Sequence, residues 1–293
     1  MRSGFVAVVG RPNVGKSTLV NAIVGEKIAI TTPVPQTTRH AVRGVLHGDD
    51  VQVVFLDTPG LHKPRTTLGN RLNEVARASL RDVDLVLFLV DGTAGIGSGD
   101  RFIAELLRDV SPPVFAVLNK IDATGGPQRD LPQLQRLDAL GDFAEIVPVS
   151  ATTGRGLDEL VSLITARMPE GPPYFPSGQV SDQEPEQLVA EIIREKVIVQ
   201  MREEVPHSIA VLVEEMGPGE SEGVTAIAAT IFTERESQKG IVIGKGGHGL
   251  AEVGTRAREE LELILGTRVY LDLRVKLLKE WQRDPKHLER LGY

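Results

Sequence analysis

Gly10-Arg11-Pro12-Asn13-Val14-Gly15-Lys16-Ser17 decides how the first half of this chain is read. A glycine, four residues and then Gly-Lys-Ser is the pattern of a phosphate-binding loop, which carries weight only between a strand and a helix. That context is present: the apolar run 5–9 precedes the loop, and apolar residues recur at helical spacing over 16–24. In such a loop, backbone N–H groups and the start of a helix surround phosphate. Lys16 would bridge the two outer phosphates and the Ser17 hydroxyl would ligate magnesium. Arg11, Pro12, Asn13, Val14 and Thr18 complete the stretch expected to line the nucleotide.

Outward from the loop, short apolar runs at 5–9, 51–56, 85–90, 114–118 and 146–149 read as buried strands. Helical spacing falls between them at 16–24, 68–80, 101–108 and 157–168. The alternation predicts an α/β domain with a mostly parallel sheet covered on both faces. Residues 41–47, then Gly48-Asp49-Asp50 and the next run, read as a hairpin, so one edge strand is expected to be antiparallel.

Three further motifs fall at strand ends. Asn119-Lys120-Ile121-Asp122 follows the run 114–118. Asp122 can accept from both N1–H and the exocyclic amine of guanine, a donor pair that adenine lacks. Asn119 can support the base edge and the loop, and the Lys120 stem can pack along the base. Ser150-Ala151 would place a backbone N–H where guanine O6 should lie. Asp57-Thr58-Pro59-Gly60 follows 51–56. Asp57 should hold magnesium through a water, and the Gly60 N–H should sense the γ-phosphate. Thr38, in the long loop before Ala41, is the threonine expected to reach magnesium. The ligands read from these motifs are GTP and GDP with Mg2+.

The pattern breaks at 171–186, where Pro172, Pro173, Pro176 and Pro185 mark a semi-rigid linker. The expected division is a nucleotide domain at 1–170, this linker, and a second domain with a C-terminal tail at 187–293. In the second domain, helical spacing at 187–203 precedes strand-like runs at 209–215 and 225–232. Helices are expected at 237–243 and 250–265, a strand at 268–277 and a short helix over 281–291. Ile241-Val242-Ile243-Gly244-Lys245-Gly246-Gly247 joins two of the helices. Gly-x-x-Gly between helices is the signature of a KH module, which clamps about four nucleotides of single-stranded nucleic acid. Gly244, Gly246 and Gly247 would let the RNA backbone approach, and Lys245 would meet a phosphate. Ile241 and Ile243 would line the groove or the core beneath it, with Arg235 and Lys239 as nearby cations.

The bulk properties set limits. The 293 residues suffice for two cores, and the absence of cysteine excludes disulfides, thiolate metal sites and cysteine nucleophiles. A net charge of −7 argues mildly against nucleic acid, so RNA binding would rest on a local groove as well as on charge. Run 5–9 is too short for a signal segment and no run approaches a membrane span, so a cytoplasmic protein is expected.

Residues 10–17, Thr38, 57–60, 119–122 and 150–151 together resemble the translation-factor-related GTPases. The phosphate loop and Pro35-Gln36-Thr37-Thr38-Arg39-His40 are similar to the Era branch. The resemblance extends over essentially the whole chain. The second half follows the type II KH order of that family, and Lys279-Glu280-Trp281, Asp284-Pro285 and Leu291-Gly292-Tyr293 resemble its C-terminus. It implies a monomeric GTPase that binds 16S rRNA near its 3′ end, assists 30S subunit assembly, and associates peripherally with the inner membrane. Leu61 stands where many GTPases place a water-orienting glutamine, so the resemblance implies slow intrinsic hydrolysis. Asn13 has two readings: a ligand for K+, as in several related GTPases, or a loop asparagine bonded to backbone. His62, a lone loop histidine, is expected to be solvated rather than catalytic. The alternative function is a nucleotide-gated RNA scaffold with negligible turnover. A related tRNA-modifying GTPase fits less well, because this chain has no cysteine and carries the 244–247 loop.

Overall fold

In the computed structural model, which describes residues 1–201 and 208–293, the apolar runs of the first half form one six-stranded sheet. Strands β1 (Arg2–Gly10), β2 (Val42–His47), β3 (Val51–Asp57), β4 (Leu85–Asp91), β5 (Val114–Asn119) and β6 (Glu145–Pro148) lie in the order β2-β3-β1-β4-β5-β6. Neighbours are parallel except β2 and β3, the expected hairpin. Every residue of β4 and β5 is buried. A parallel strand covered on both faces has no solvent side, which is why these runs are continuously apolar. The cover comes from α1 (Lys16–Val24), α2 (Thr67–Ala78), α3 (Ser98–Leu107), α4 (Pro127–Asp138) and α5 (Leu157–Arg167). Two core clusters result. Val8, Leu87 and Phe115 enter one, and Val9, Phe88 and Ala116 the other. Successive strand residues divide between them, as the period of two requires.

Helix α4 has no counterpart among the helices expected from spacing. It buries only Asp130 and Leu137, carries Pro127 in its first turn and holds Pro132 inside. A helix with so narrow an apolar face gives almost no periodic signal, and its prolines read as loop.

The stretch expected to be a linker, 171–186, is bonded along the sheet edge as far as Asp182. The Gln52 side chain is buried and accepts from the Tyr174 and Phe175 N–H groups at 2.7 and 3.0 Å, while donating to the Phe175 carbonyl at 2.9 Å. On β2, the Val45 N–H donates to the Val180 carbonyl at 2.8 Å, and Arg43 pairs with Asp182 at 2.5 Å.

The chain divides into two compact units. One holds Met1–Thr31, Gln36–Arg65 and Gly69–Asp182; the other holds Gln183–Tyr293 with Thr32–Pro35 and Thr66–Leu68. The second unit runs α6 (Pro185–Gln200), β7 (Ala210–Pro218), β8 (Val224–Thr233), α7 (Glu236–Ile243), α8 (His248–Leu265), β9 (Arg268–Leu277) and α9 (Pro285–Arg290). Its sheet order is β7-β8-β9, antiparallel and then parallel. The helix expected over 187–203 ends at Gln200, and its last expected residues, Arg202 and Glu203, lie outside the described residues. Trp281 precedes α9 instead of belonging to it. It is fully buried, donates its indole N–H to the Ser208 carbonyl at 3.0 Å, and stacks on Tyr293. Among the described residues no helix is long and apolar enough to cross a membrane.

Candidate functional site

The phosphate loop closes between the end of β1 and the start of α1. It depends on two residues in left-handed conformation, Asn13 at φ 64° and Gly15 at φ 99°. Asparagine tolerates that region and glycine has no barrier to it. Lys16 is buried and donates to the Arg11 carbonyl at 3.1 Å and, more weakly, to the Gly10 carbonyl at 3.4 Å. Burial lowers its ammonium to about 8, against the pull of Asp57. A cation so poorly solvated gains strongly from a phosphate placed beside it.

At the first turn of the helix, three oxygens from distant parts of the sequence converge. Ser17 Oγ donates to Asp57 Oδ2 at 2.6 Å and lies 2.8 Å from Thr38 Oγ1, which sits 3.4 Å from the same carboxylate oxygen. Asp57 is fully buried, and its Oδ1 has no hydrogen-bond partner among the described residues. Burial pushes the carboxyl up, against the Ser17 and Thr38 hydrogen bonds and the Lys16 charge. Two hydroxyls and a carboxylate with an unmatched oxygen form a hard, oxygen-only donor set, and such a set fits Mg2+. Thr58 bonds back to β1. Its hydroxyl donates to the Val8 carbonyl at 2.7 Å, which fixes the strand end below the buried Pro59 and Gly60.

The base-side motifs also close onto the loop. Asn119 donates to the Val14 carbonyl at 2.9 Å and accepts from the Ala151 N–H at 3.0 Å, so it joins two loops. The Ser150 N–H donates to the Arg155 carbonyl at 2.9 Å. Both amides of Ser150-Ala151 are engaged within the protein, and that of Ala151 braces Asn119. Lys120 donates to the Asn13 carbonyl at 2.7 Å and to Asp91 at 2.6 Å. Burial pushes the Asp91 carboxyl up, but the Lys120 and Thr93 hydrogen bonds prevail and hold it below the usual range. Asp122 is exposed on the same loop.

In the second unit, a groove of about 570 Å³ runs beside the glycine loop, with Gly247, Leu250, Gly254, Arg258, Tyr270 and Leu273 among its walls. Gly246 and Gly247 adopt φ 62° and 83°, and Lys245 is exposed. Ile241 is exposed and Ile243 half-buried at the end of α7, across the loop from α8. Arg235 caps the far end of α7, a helix of eight residues or about 12 Å, and Lys239 pairs with Glu236 at 3.7 Å. Neither is among the walls of this groove, whereas Arg258 is.

The family described as 50S ribosome-binding GTPase matches residues 5–120, and the KH domain family matches 204–282. GTPase Era of Mycobacterium avium is 49% identical over 295 residues, covering 100% of this chain and 99% of its own. The Mycobacterium tuberculosis protein of the same name is 50% identical over 296 residues, covering 99% and 98%. The chain belongs to the Era family of GTPases. A crystal structure of Era with MgGDPNP and nucleotides 1506–1542 of 16S ribosomal RNA matches at a TM-score of 0.97 and 43% identity, over 100% of this chain and 99% of that one. An Aquifex aeolicus Era variant bound to GDP·AlF4− matches equally well.

Several residues of this Era-family protein carry no signal in the sequence. Asp100 is fully buried, accepts from Arg11 Nε at 2.7 Å and from the Gly97 N–H at 2.8 Å, and so ties the phosphate loop to α3. Asp91 orients Lys120. Neither has a motif, because its partner lies far along the chain. The groove walls had a weak signal: Gly247, just before α8, and Ala251, Gly254 and Arg258 on it fall three or four residues apart. Leu61 is 2% exposed and packs in the core with Val9 and Phe88, while its N–H donates to the Gly10 carbonyl at 3.1 Å. It serves the fold and does not address water. His62 is not a free solvated side chain: its Nδ1 lies 2.9 Å from the Gly60 carbonyl and its Nε2 lies 2.7 Å from Gln36 Nε2.

Proposed function

We propose that this GTPase is a switch for assembly of the small ribosomal subunit, binding 16S rRNA near its 3′ end through the KH groove. The observation that carries the reading is the convergence of Ser17, Thr38 and Asp57. It links the phosphate loop, the 36–38 segment and the 57–60 turn at one point, so that loss of the γ-phosphate releases two loops together. The complex of a relative with both a GTP analogue and 16S RNA supports the choice of partner.

In this reading the 10–18 backbone cradles the phosphates, and Lys16 spans the β- and γ-positions. Ser17 and Thr38, with Asp57 through a water, would hold Mg2+. The ion, when bound, neutralises charge on the phosphate oxygens. The Gly60 N–H meets the γ-phosphate. Asp122 reads guanine, while Asn119, braced by Ala151, and Lys120 shape the base-side wall. Asn13 would hold K+, whose charge would assist hydrolysis where Leu61 cannot orient water; the other reading of Asn13 is a loop asparagine bonded to backbone. Gly244, Lys245, Gly246 and Gly247 clamp the RNA backbone against the α8–β9 groove, where Tyr270 offers a ring for stacking.

Phosphate release in two salts tests the catalytic part. Turnover is expected to be about tenfold faster in K+ than in Na+ at equal ionic strength, and to rise further with small subunits or their 3′-terminal RNA. Equal rates in both salts would exclude the potassium role. Turnover indistinguishable from uncatalysed hydrolysis under every condition would favour the scaffold.

A further inference from the structure

Gly60 is held on three sides. A Cβ on it would lie 2.6 Å from Pro12 N and 2.7 Å from Pro12 Cα, so its backbone is wedged against the phosphate loop. The next residue, Leu61, donates its N–H to the Gly10 carbonyl at 3.1 Å. The third restraint is His62. The Gly60 carbonyl can only accept, so Nδ1 at 2.9 Å carries the proton. That leaves Nε2 as the acceptor for the Gln36 amide at 2.7 Å. One neutral tautomer satisfies both bonds.

The imidazole is itself anchored. Asn73 on α2 donates to the His62 carbonyl at 2.7 Å and accepts from the His62 N–H at 3.3 Å, so both backbone groups of His62 are fixed. Gln36 sits at φ 66°, two residues before Thr38. A non-glycine residue in that region persists where its surroundings hold it. The imidazole therefore connects the Gly60 turn to the segment that carries Thr38. Its Nε2 is engaged by Gln36, so it is not placed as a base toward an attacking water.

We infer that His62 is a positioning residue for GTP hydrolysis: it fixes the conformation of the Gly60 turn through Nδ1 and holds the Gln36–Thr38 segment against it through Nε2. Glycine has the freest backbone of any residue. Without the imidazole, the Gly60 peptide that faces the γ-phosphate would sample orientations that bind nucleotide but do not favour the reaction. Small displacements of preorganised donors lower turnover while leaving ground-state binding nearly intact.

Isosteric variants separate the two bonds. In the full-length protein, His62→Ala is expected to lower kcat for GTP by about tenfold or more, with KM and GDP affinity changed by less than about twofold. His62→Asn carries an N–H near the Nδ1 position and is expected to recover at least half of that loss on a logarithmic scale. Gln36→Ala should lose about threefold. The double variant His62→Ala with Gln36→Ala should be no slower than His62→Ala alone, because both act through one connection. A His62→Ala kcat within twofold of the parent would overturn the inference. So would a fall in GDP affinity matching the fall in kcat, or no recovery in His62→Asn.

Discussion

Gly15→Ala is expected to weaken GDP binding by about a hundredfold or more, in a protein that still folds. Two effects add. Gly15 sits at φ 99°, where an L-residue is strained by roughly 1–2 kcal/mol. A Cβ there would also lie 2.3 Å from Asn119 Nδ2. The amide must move, which breaks its bonds to the Val14 carbonyl and the Ala151 N–H. Each buried group left unpaired costs about 1–3 kcal/mol. The altered loop relaxes away from the parent geometry, and restoring that geometry to bind GDP costs this sum, which at about 1.4 kcal/mol per decade exceeds two decades in affinity. Gly25→Ala is the control. Gly25 has φ 83° at the end of α1, but a Cβ added there would meet nothing within 4 Å, so it bears the backbone strain alone. Its affinity should stay within about threefold of the parent. Fluorescence titration with a labelled GDP reads both. Binding by Gly15→Ala within threefold of the parent would show that the Asn119 clamp does not shape the pocket.

Gly247→Asp is expected to reduce RNA affinity by about thirtyfold or more while leaving GTP turnover without RNA unchanged. Gly247 lines the groove at φ 83°, with nothing within 4 Å of a Cβ. Aspartate tolerates the left-handed region better than most residues. The side chain therefore enters open groove and places a carboxylate where RNA phosphate must come, a like-charge contact of a few kcal/mol. Gly244 differs. A Cβ there would lie 2.7 Å from Gly249 N, so Gly244→Ala distorts the turn itself and should lower the unfolding midpoint as well. Electrophoretic mobility shift and thermal melting of both variants separate a blocked groove from a damaged loop. Undiminished RNA binding by Gly247→Asp would mean that the groove beside the loop is not the RNA path.

What the sequence conveyed was local. The phosphate loop could be read because its geometry requires glycine and lysine at fixed spacing, and β4 and β5 because burial on both faces leaves only apolar side chains. The Asp122 motif could be picked out from residue types at the end of a strand. What stayed hidden depends on partners distant in sequence. Asp100 meets Arg11, Asp91 meets Lys120 and Gln52 meets Phe175, and each is an ordinary polar residue until the fold closes. His62 looked solvated because Gln36 and Asn73, which bond it, lie on other segments. The amides of Ser150 and Ala151 looked available because their acceptors, Arg155 O and Asn119 Oδ1, appear only in three dimensions. Arg235 lies near the glycine loop in sequence, but α7 carries it to the opposite end of the helix.

A switch requires that the nucleotide state set RNA affinity, and one measurement addresses this directly. The affinity of the full-length protein for an RNA carrying the 3′ end of 16S rRNA should be compared in saturating GDP and in saturating non-hydrolysable GTP analogue, both with Mg2+. A switch with an ordinary coupling free energy predicts binding about tenfold tighter with the GTP analogue. Affinities equal within twofold in the two states would contradict it.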